Sequence, residues 1–172
     1  AEPNENERVI KYLKNIKNLS VSFIQTDGIN LSQGIIAIGK KRLRVEYSSP
    51  SKILIILDKD KAMYYNFDLD EDEFFNPQNT SAWYFYEIFK NPSFLKNSPL
   101  TNENKNIILR KSGEVEGEPF KLKIEFEDEP MILRKIELTI NQDRLSISFY
   151  DHEYNKKFDD KYFKLINPNF FD

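Results

Sequence analysis

The 172 residues include no cysteine, one histidine and five glycines. Without cysteine there are no thiol nucleophiles, no disulfides and no thiolate metal sites. One histidine leaves no imidazole pair for metal binding or base catalysis. Gly34 and Gly39 bracket an apolar run and do not form a phosphate-cradling loop. No stretch approaches the roughly 18 consecutive apolar residues of a membrane helix. The net charge of −3 lacks the basic excess of a general nucleic-acid binder. The expectation is a protein that is not an enzyme, with no metal, no cofactor and no nucleic-acid partner.

What is abundant points to a globular fold. Hydrophobic residues make up 40% and charged residues 31% of the chain, the balance of a folded domain. No linker or repeat divides residues 1–172, so a single domain is expected. Aromatics reach 14%, with 14 Phe and 9 Tyr. That excess of rings fits either a wide apolar binding surface or an aromatic-rich β core. Lysine outnumbers arginine 19 to 6, and Ile and Asn number 19 and 17. Such a bias follows AT-rich coding, so a lysine can stand where relatives carry arginine.

The chain opens on Ala1 and polar residues 2–7, as a chain does after signal-peptide cleavage. Val9, Ile10, Leu13 and Ile16 recur at helical spacing over residues 5–18. From Leu19 the period becomes two, and strand-like runs follow at 33–39, 41–48, 53–58, 62–67 and 71–76. At 79–98 the pattern turns helical: Thr80-Ser81 can cap a helix through Trp83 and Phe89, and Asn91-Pro92-Ser93 starts a second piece. Alternation returns at 107–111, 120–126, 131–141, 144–151 and 161–166. This predicts an α+β fold, a curled antiparallel sheet of about eleven strands forming an incomplete barrel. A lid of about three helices covers that half-barrel, which leaves an interior either hollow for an apolar ligand or filled by side chains.

Candidates for chemistry are few. His152, between Asp151 and Glu153, reads as an exposed turn residue. Asp68, Asp70 and Asp72 have calcium-loop spacing but lack the required glycine and the closing Glu, and read as a solvated hairpin turn.

Residues 34–67 are the informative stretch. They run from Gly34 through a strand to Lys40-Lys41-Arg42-Leu43-Arg44-Val45-Glu46-Tyr47, then Ser49-Pro50, the apolar 53–57, Asp58, and Tyr64-Tyr65-Asn66. With Phe23-Ile24-Gln25 before and residues 162–168 after, this order resembles the LolA family, periplasmic carriers of outer-membrane lipoproteins. The resemblance covers nearly the whole chain. It implies that Leu43, Val45 and Tyr47 face a concave hydrophobic cavity, with Leu43 the foremost acyl contact. Phe23, Ile36, Ile38 and Tyr65 are further cavity candidates, and Leu13, Ile16, Trp83 and Phe85 belong to the lid. The family's Arg-Pro, whose arginine latches the lid, is replaced by Lys40-Lys41, which makes these two lysines the latch candidates.

The same resemblance implies acylated lipoproteins as cargo and an inner-membrane ATP-driven transporter of the LolCDE type as loader. An outer-membrane acceptor of the LolB type would be the recipient, and the carrier would be a monomer in the periplasm. The acceptor LolB is anchored through an N-terminal Cys; this chain has none, which favours the carrier. The alternative from another class is a periplasmic lipid-sensing or regulatory binding module of the same fold.

Overall fold

The computed structural model describes residues 4–171. Helix α1 spans Glu5–Asn15. Its start is fixed by Asn4, whose side chain accepts a 2.8 Å bond from the Glu7 N–H, while Glu5 and Glu7 sit favourably at the positive end of the helix. Six strands follow: β1 Leu19–Thr26, β2 Leu31–Ile38, β3 Leu43–Ser49, β4 Ile53–Leu57, β5 Ala62–Asn66 and β6 Glu71–Phe75. Helix α2, Ala82–Lys90, lies between 3-10 turns at Pro77–Asn79 and Pro92–Leu95. The remaining strands are β7 Leu100–Glu103, β8 Asn106–Val115, β9 Glu118–Glu127, β10 Ile132–Ile140 and β11 Asp143–Glu153.

All eleven strands form one antiparallel sheet in the order β6-β5-β4-β3-β2-β1-β11-β10-β9-β8-β7. The two ends of that order do not meet, so the sheet curls into a half-barrel and the fold is α+β, as expected. Both helices lie on its concave side, with the core between. Alternation explains the burial: Phe120, Leu122, Ile124 and Phe126 are buried while Lys121, Lys123 and Glu125 face outward.

Three details differ from the sequence expectation. The short edge strand β7 was not foreseen, because its residues are mostly exposed and carry no alternation. Residues 161–166 are not a strand. They belong to an irregular C-terminal strap with 3-10 turns at Asp160–Phe163 and Pro168–Phe171. The strap crosses the convex back of β3 to β5. There Arg42 Nη1 donates to the Phe163 carbonyl at 3.1 Å and Arg44 Nη1 to the Tyr162 carbonyl at 3.0 Å. The Arg44 guanidinium also stacks 4.2 Å from the Tyr162 ring centroid. Gly39 leaves room for this crossing, since a Cβ there would sit 2.9 Å from the Phe163 ring.

His152 is likewise not a turn residue. It lies within β11, half-buried, with Nε2 2.8 Å from the Leu133 carbonyl oxygen. Burial holds its pKa below the ordinary histidine value. Asp70 does occupy the β5–β6 turn, where it accepts a 2.5 Å bond from the Tyr65 hydroxyl.

Candidate functional site

The run from Arg42 to Tyr47 divides its side chains between two jobs. Leu43, Val45 and Tyr47 point to the concave side. Arg42 and Arg44 point to the back and hold the strap, and Arg42 Nε also donates to Asp58 at 2.8 Å. Period two thus places an apolar wall and a cationic clamp on one strand. Gly34 lets β2 approach this wall: a Cβ there would lie 2.0 Å from the Glu46 carbonyl oxygen. The pairing slips by one residue between Gln33 and Gly34, a bulge at the same place.

In front of that wall is a hollow of about 150 Å³. Its floor is Phe23, Ile36, Leu43, Val45, Tyr47, Ile55 and Leu57, with Leu145 and Ile147 from β11 and Phe75 from β6. Its roof is α2, through Ala82, Phe85 and Phe89. Polar groups here are few. The Tyr47 hydroxyl donates to Gln25 Oε1 at 2.8 Å, and burial raises the Tyr47 pKa, keeping the phenol neutral. The rings of Phe23 and Tyr47 meet edge to face at 5.3 Å.

The expected cavity residues fall in three places. Leu43, Val45, Tyr47, Phe23 and Ile36 line the hollow together. Ile38 shares their face but is fully buried core beside it. Tyr65 does not belong to the site: it sits on the convex side in a separate cluster with Leu54, Ile56 and Met63, under Leu165 of the strap. There its hydroxyl accepts from Asn169 Nδ2 at 2.8 Å. The reason is that β5 is buried on both faces, so its alternation carries no parity. Sequence reading missed Ile55, Leu57, Phe75, Phe89, Leu145 and Ile147. The register of β4 against β3, which opposes Leu57 to Leu43 and Ile55 to Val45, was the available signal.

Of the lid residues, Phe85 faces the hollow. Trp83 packs away from it, against Tyr84 at 5.0 Å and Phe94 at 6.3 Å. Leu13 and Ile16 are buried core and do not line the hollow. Helix α1 is pinned instead: the Leu133 N–H donates to the Tyr12 hydroxyl at 3.0 Å, and Arg8 Nη2 lies 3.1 Å from Asp128. Burial and the bond to Tyr154 push the Tyr12 phenol well above its usual pKa.

The latch runs in the opposite sense from the one expected. Lys40 and Lys41 have exposed side chains, and the β2–β3 hairpin offers its backbone carbonyls instead. From α2, the Tyr86 hydroxyl donates to the Lys41 carbonyl at 3.1 Å. Lys90 Nζ donates to the Gly39 carbonyl and, at 3.4 Å, to the Lys40 carbonyl. Residues 86 and 90 are one turn apart, so both reach the hairpin from one helix face. Burial, aided by Lys17, lowers the Lys90 pKa to about 8. The cation that ties lid to barrel comes from the lid.

Among curated proteins, none matches this sequence. In three dimensions the chain is similar to an uncharacterized conserved protein from Thermus thermophilus, with a TM-score of 0.58, 5% identity, 90% of this chain covered and 88% of that one. It is also similar to MucB in the Pseudomonas aeruginosa MucA/MucB complex, with a TM-score of 0.55 and 11% identity over 92% of this chain; it spans 58% of that chain. These likenesses concern the fold. The family model described as outer membrane lipoprotein carrier protein LolA matches residues 14–166. That match takes in the apolar wall, α2 and most of the strap at once, and the chain therefore belongs to the LolA family.

Proposed function

We propose that this protein is a periplasmic carrier that binds the acyl chains of lipoproteins released from the inner membrane and delivers them to the outer membrane. The observation that carries the reading is the apolar hollow roofed by α2, which Phe85 and Phe89 line from above. A hollow of about 150 Å³ has room for a molecule the size of benzene. An acyl chain therefore enters only if α2 moves away.

The energies permit that exchange. Burying a chain of about sixteen carbons is worth on the order of 12 kcal/mol at roughly 0.8 kcal/mol per methylene. Each phenylalanine displaced into water costs about 1.5–3 kcal/mol. The acyl chain outcompetes the lid, and the lid in turn keeps the empty cavity from water. No chemical step is involved, so the protein is a binder and not an enzyme. An ATP-driven transporter of the LolCDE type supplies the work of extraction, and an acceptor of the LolB type receives the cargo.

The test is native mass spectrometry of the protein co-expressed with a triacylated lipoprotein and the matching transporter. The expected result is a one-to-one complex stable without detergent and lost on Leu43→Glu, with far-UV circular dichroism unchanged. Leu43 is 1% exposed, and a carboxylate there costs acyl burial. A lipoprotein-free protein that co-purifies with another polypeptide would instead favour a regulatory module, a reading consistent with the structural similarity to MucB in its complex with MucA.

A further inference from the structure

The sheet edge at β8 differs from the rest of the molecule in both pairing and charge. β7 pairs only with residues 106–109 of β8, and the Arg110 N–H reaches back to the Pro99 carbonyl at 2.9 Å. Beyond that point residues 111–115 have β9 on one side and, among the described residues, no strand on the other. Peptide groups alternate along an antiparallel strand, so Ser112 and Glu114 turn their N–H and C=O groups outward as Arg110 does. Residues 112–114 are exposed.

From this edge a groove of about 690 Å³ crosses β8, β9 and β10 toward β11, lined by Lys96, Arg110, Lys111, Lys121, Lys123 and Arg144, with Glu137 its one carboxylate. The chain as a whole has 28 acidic and 25 basic residues, so six cations against one acid is a local inversion. Glu137 is already held by Lys135 at 3.0 Å and Arg144 at 3.1 Å. Lys123 pairs with Glu125 at 3.3 Å, and Arg110 lies 3.9 Å from Glu103. Among the described residues, Lys96, Lys111 and Lys121 have no carboxylate within 4.0 Å; Lys111 lies 5.8 Å over the Phe94 ring. Cross-strand register sets Ser112 opposite Lys121 and Arg110 opposite Lys123. Ser98 also lines the groove, and its buried hydroxyl has no partner among the described residues.

We propose that the free edge of β8, residues 111–115, takes up an extended acidic segment of a partner protein by strand addition. The edge supplies main-chain bonds over about 17 Å, the length of five strand residues. The groove cations nearest the edge, Lys96, Arg110 and Lys121, supply preference for acidic side chains. Glu114, Glu116 and Glu118 at the far end of the hairpin set the orientation: the segment's acids lie toward Arg110 and Lys121. An anionic lipid headgroup would answer the same charge but would leave the strand edge unpaired, which is why a peptide is favoured.

The test uses the full chain and a fluorescent peptide of alternating Asp and Val, followed by anisotropy and amide exchange. Expected are binding that weakens at least about tenfold in the Lys96→Glu/Lys121→Glu double variant, and a similar loss when alternate peptide amides are N-methylated. Exchange protection should appear at Ser112 and Glu114. Both substitutions are at exposed positions, and an unchanged melting curve confirms the fold. Binding indifferent to N-methylation and without protection at Ser112 and Glu114 would overturn the proposal. So would binding to phosphatidylglycerol vesicles but not to the peptide, or no binding at all.

Discussion

The two helices on the concave side are fastened in different ways. Helix α1 lies over β9 and β10 with Val9 and Leu13 wholly buried, Tyr12 bonded into β10 and Arg8 paired with Asp128. Helix α2 lies over β1 to β4 with a hollow beneath it, packs Phe89 on Phe149 of β11 and Tyr84 on Phe120 of β9, and reaches the hairpin through two side chains bonded to backbone carbonyls. Both helices contribute to the core, α2 through Tyr84, Tyr86, Ile88 and Phe89, but of the two only α2 also roofs a space. The hollow makes α2 the helix that can yield to a ligand, at the cost of uncovering Ile88 and Phe89, and a lid need involve only one of the two.

The contrast is sharpest in stability. Leu13→Ala should lower global unfolding free energy by about 2–5 kcal/mol, read as a lower urea midpoint with an unchanged slope. Phe85→Ala, on the roof of an existing hollow, should cost clearly less and increase uptake of an apolar dye. Equal losses in both variants would remove the distinction. Hydrogen exchange gives the next largest signal: α1 amides should exchange only by near-global unfolding, and α2 amides by a lower-energy local opening. Uniform protection across both helices would count against a separate lid.

The latch should give smaller effects. Tyr86→Phe removes one hydrogen bond to the hairpin, worth about 0.5–1.5 kcal/mol, and should raise dye uptake several-fold; no change would dismiss Tyr86 as a fastening. Lys90 has a pKa of about 8 with the lid shut and regains the ordinary lysine value once exposed. The open form then binds more protons, so rising pH favours closure, and the gain falls between about pH 8 and 10.5. Dye uptake should decline across that window, while Lys90→Met stays flat. A decline retained in Lys90→Met would assign the effect elsewhere.

Much of the fold was legible because most strands bury one face. Phe120, Leu122, Ile124 and Phe126 announce both a strand and its orientation, and Leu43, Val45 and Tyr47 do the same for the cavity wall. Legibility failed where that asymmetry is missing. β5 is covered on both sides, so Tyr65 could not be placed by alternation; β7 is exposed, so it left no pattern at all. Residues 161–166 alternate like a strand, yet they spend their apolar side chains on the convex back of the sheet and bond to arginine side chains instead of a neighbouring strand. The latch was hidden for another reason. Bonds from Tyr86 and Lys90 to backbone carbonyls need no particular residue at positions 39–41 and so leave no trace there.

The strap has one further consequence. With Tyr162, Phe163 and Leu165 braced against β3 to β5 from behind, the cavity wall is backed like the fixed jaw of a vice, and in the proposed carrier α2 would be the jaw that travels. Capacity would then be set by how far one helix is displaced and not by any swelling of the barrel. Cargoes of different girth would be accommodated by different settings of the same moving part.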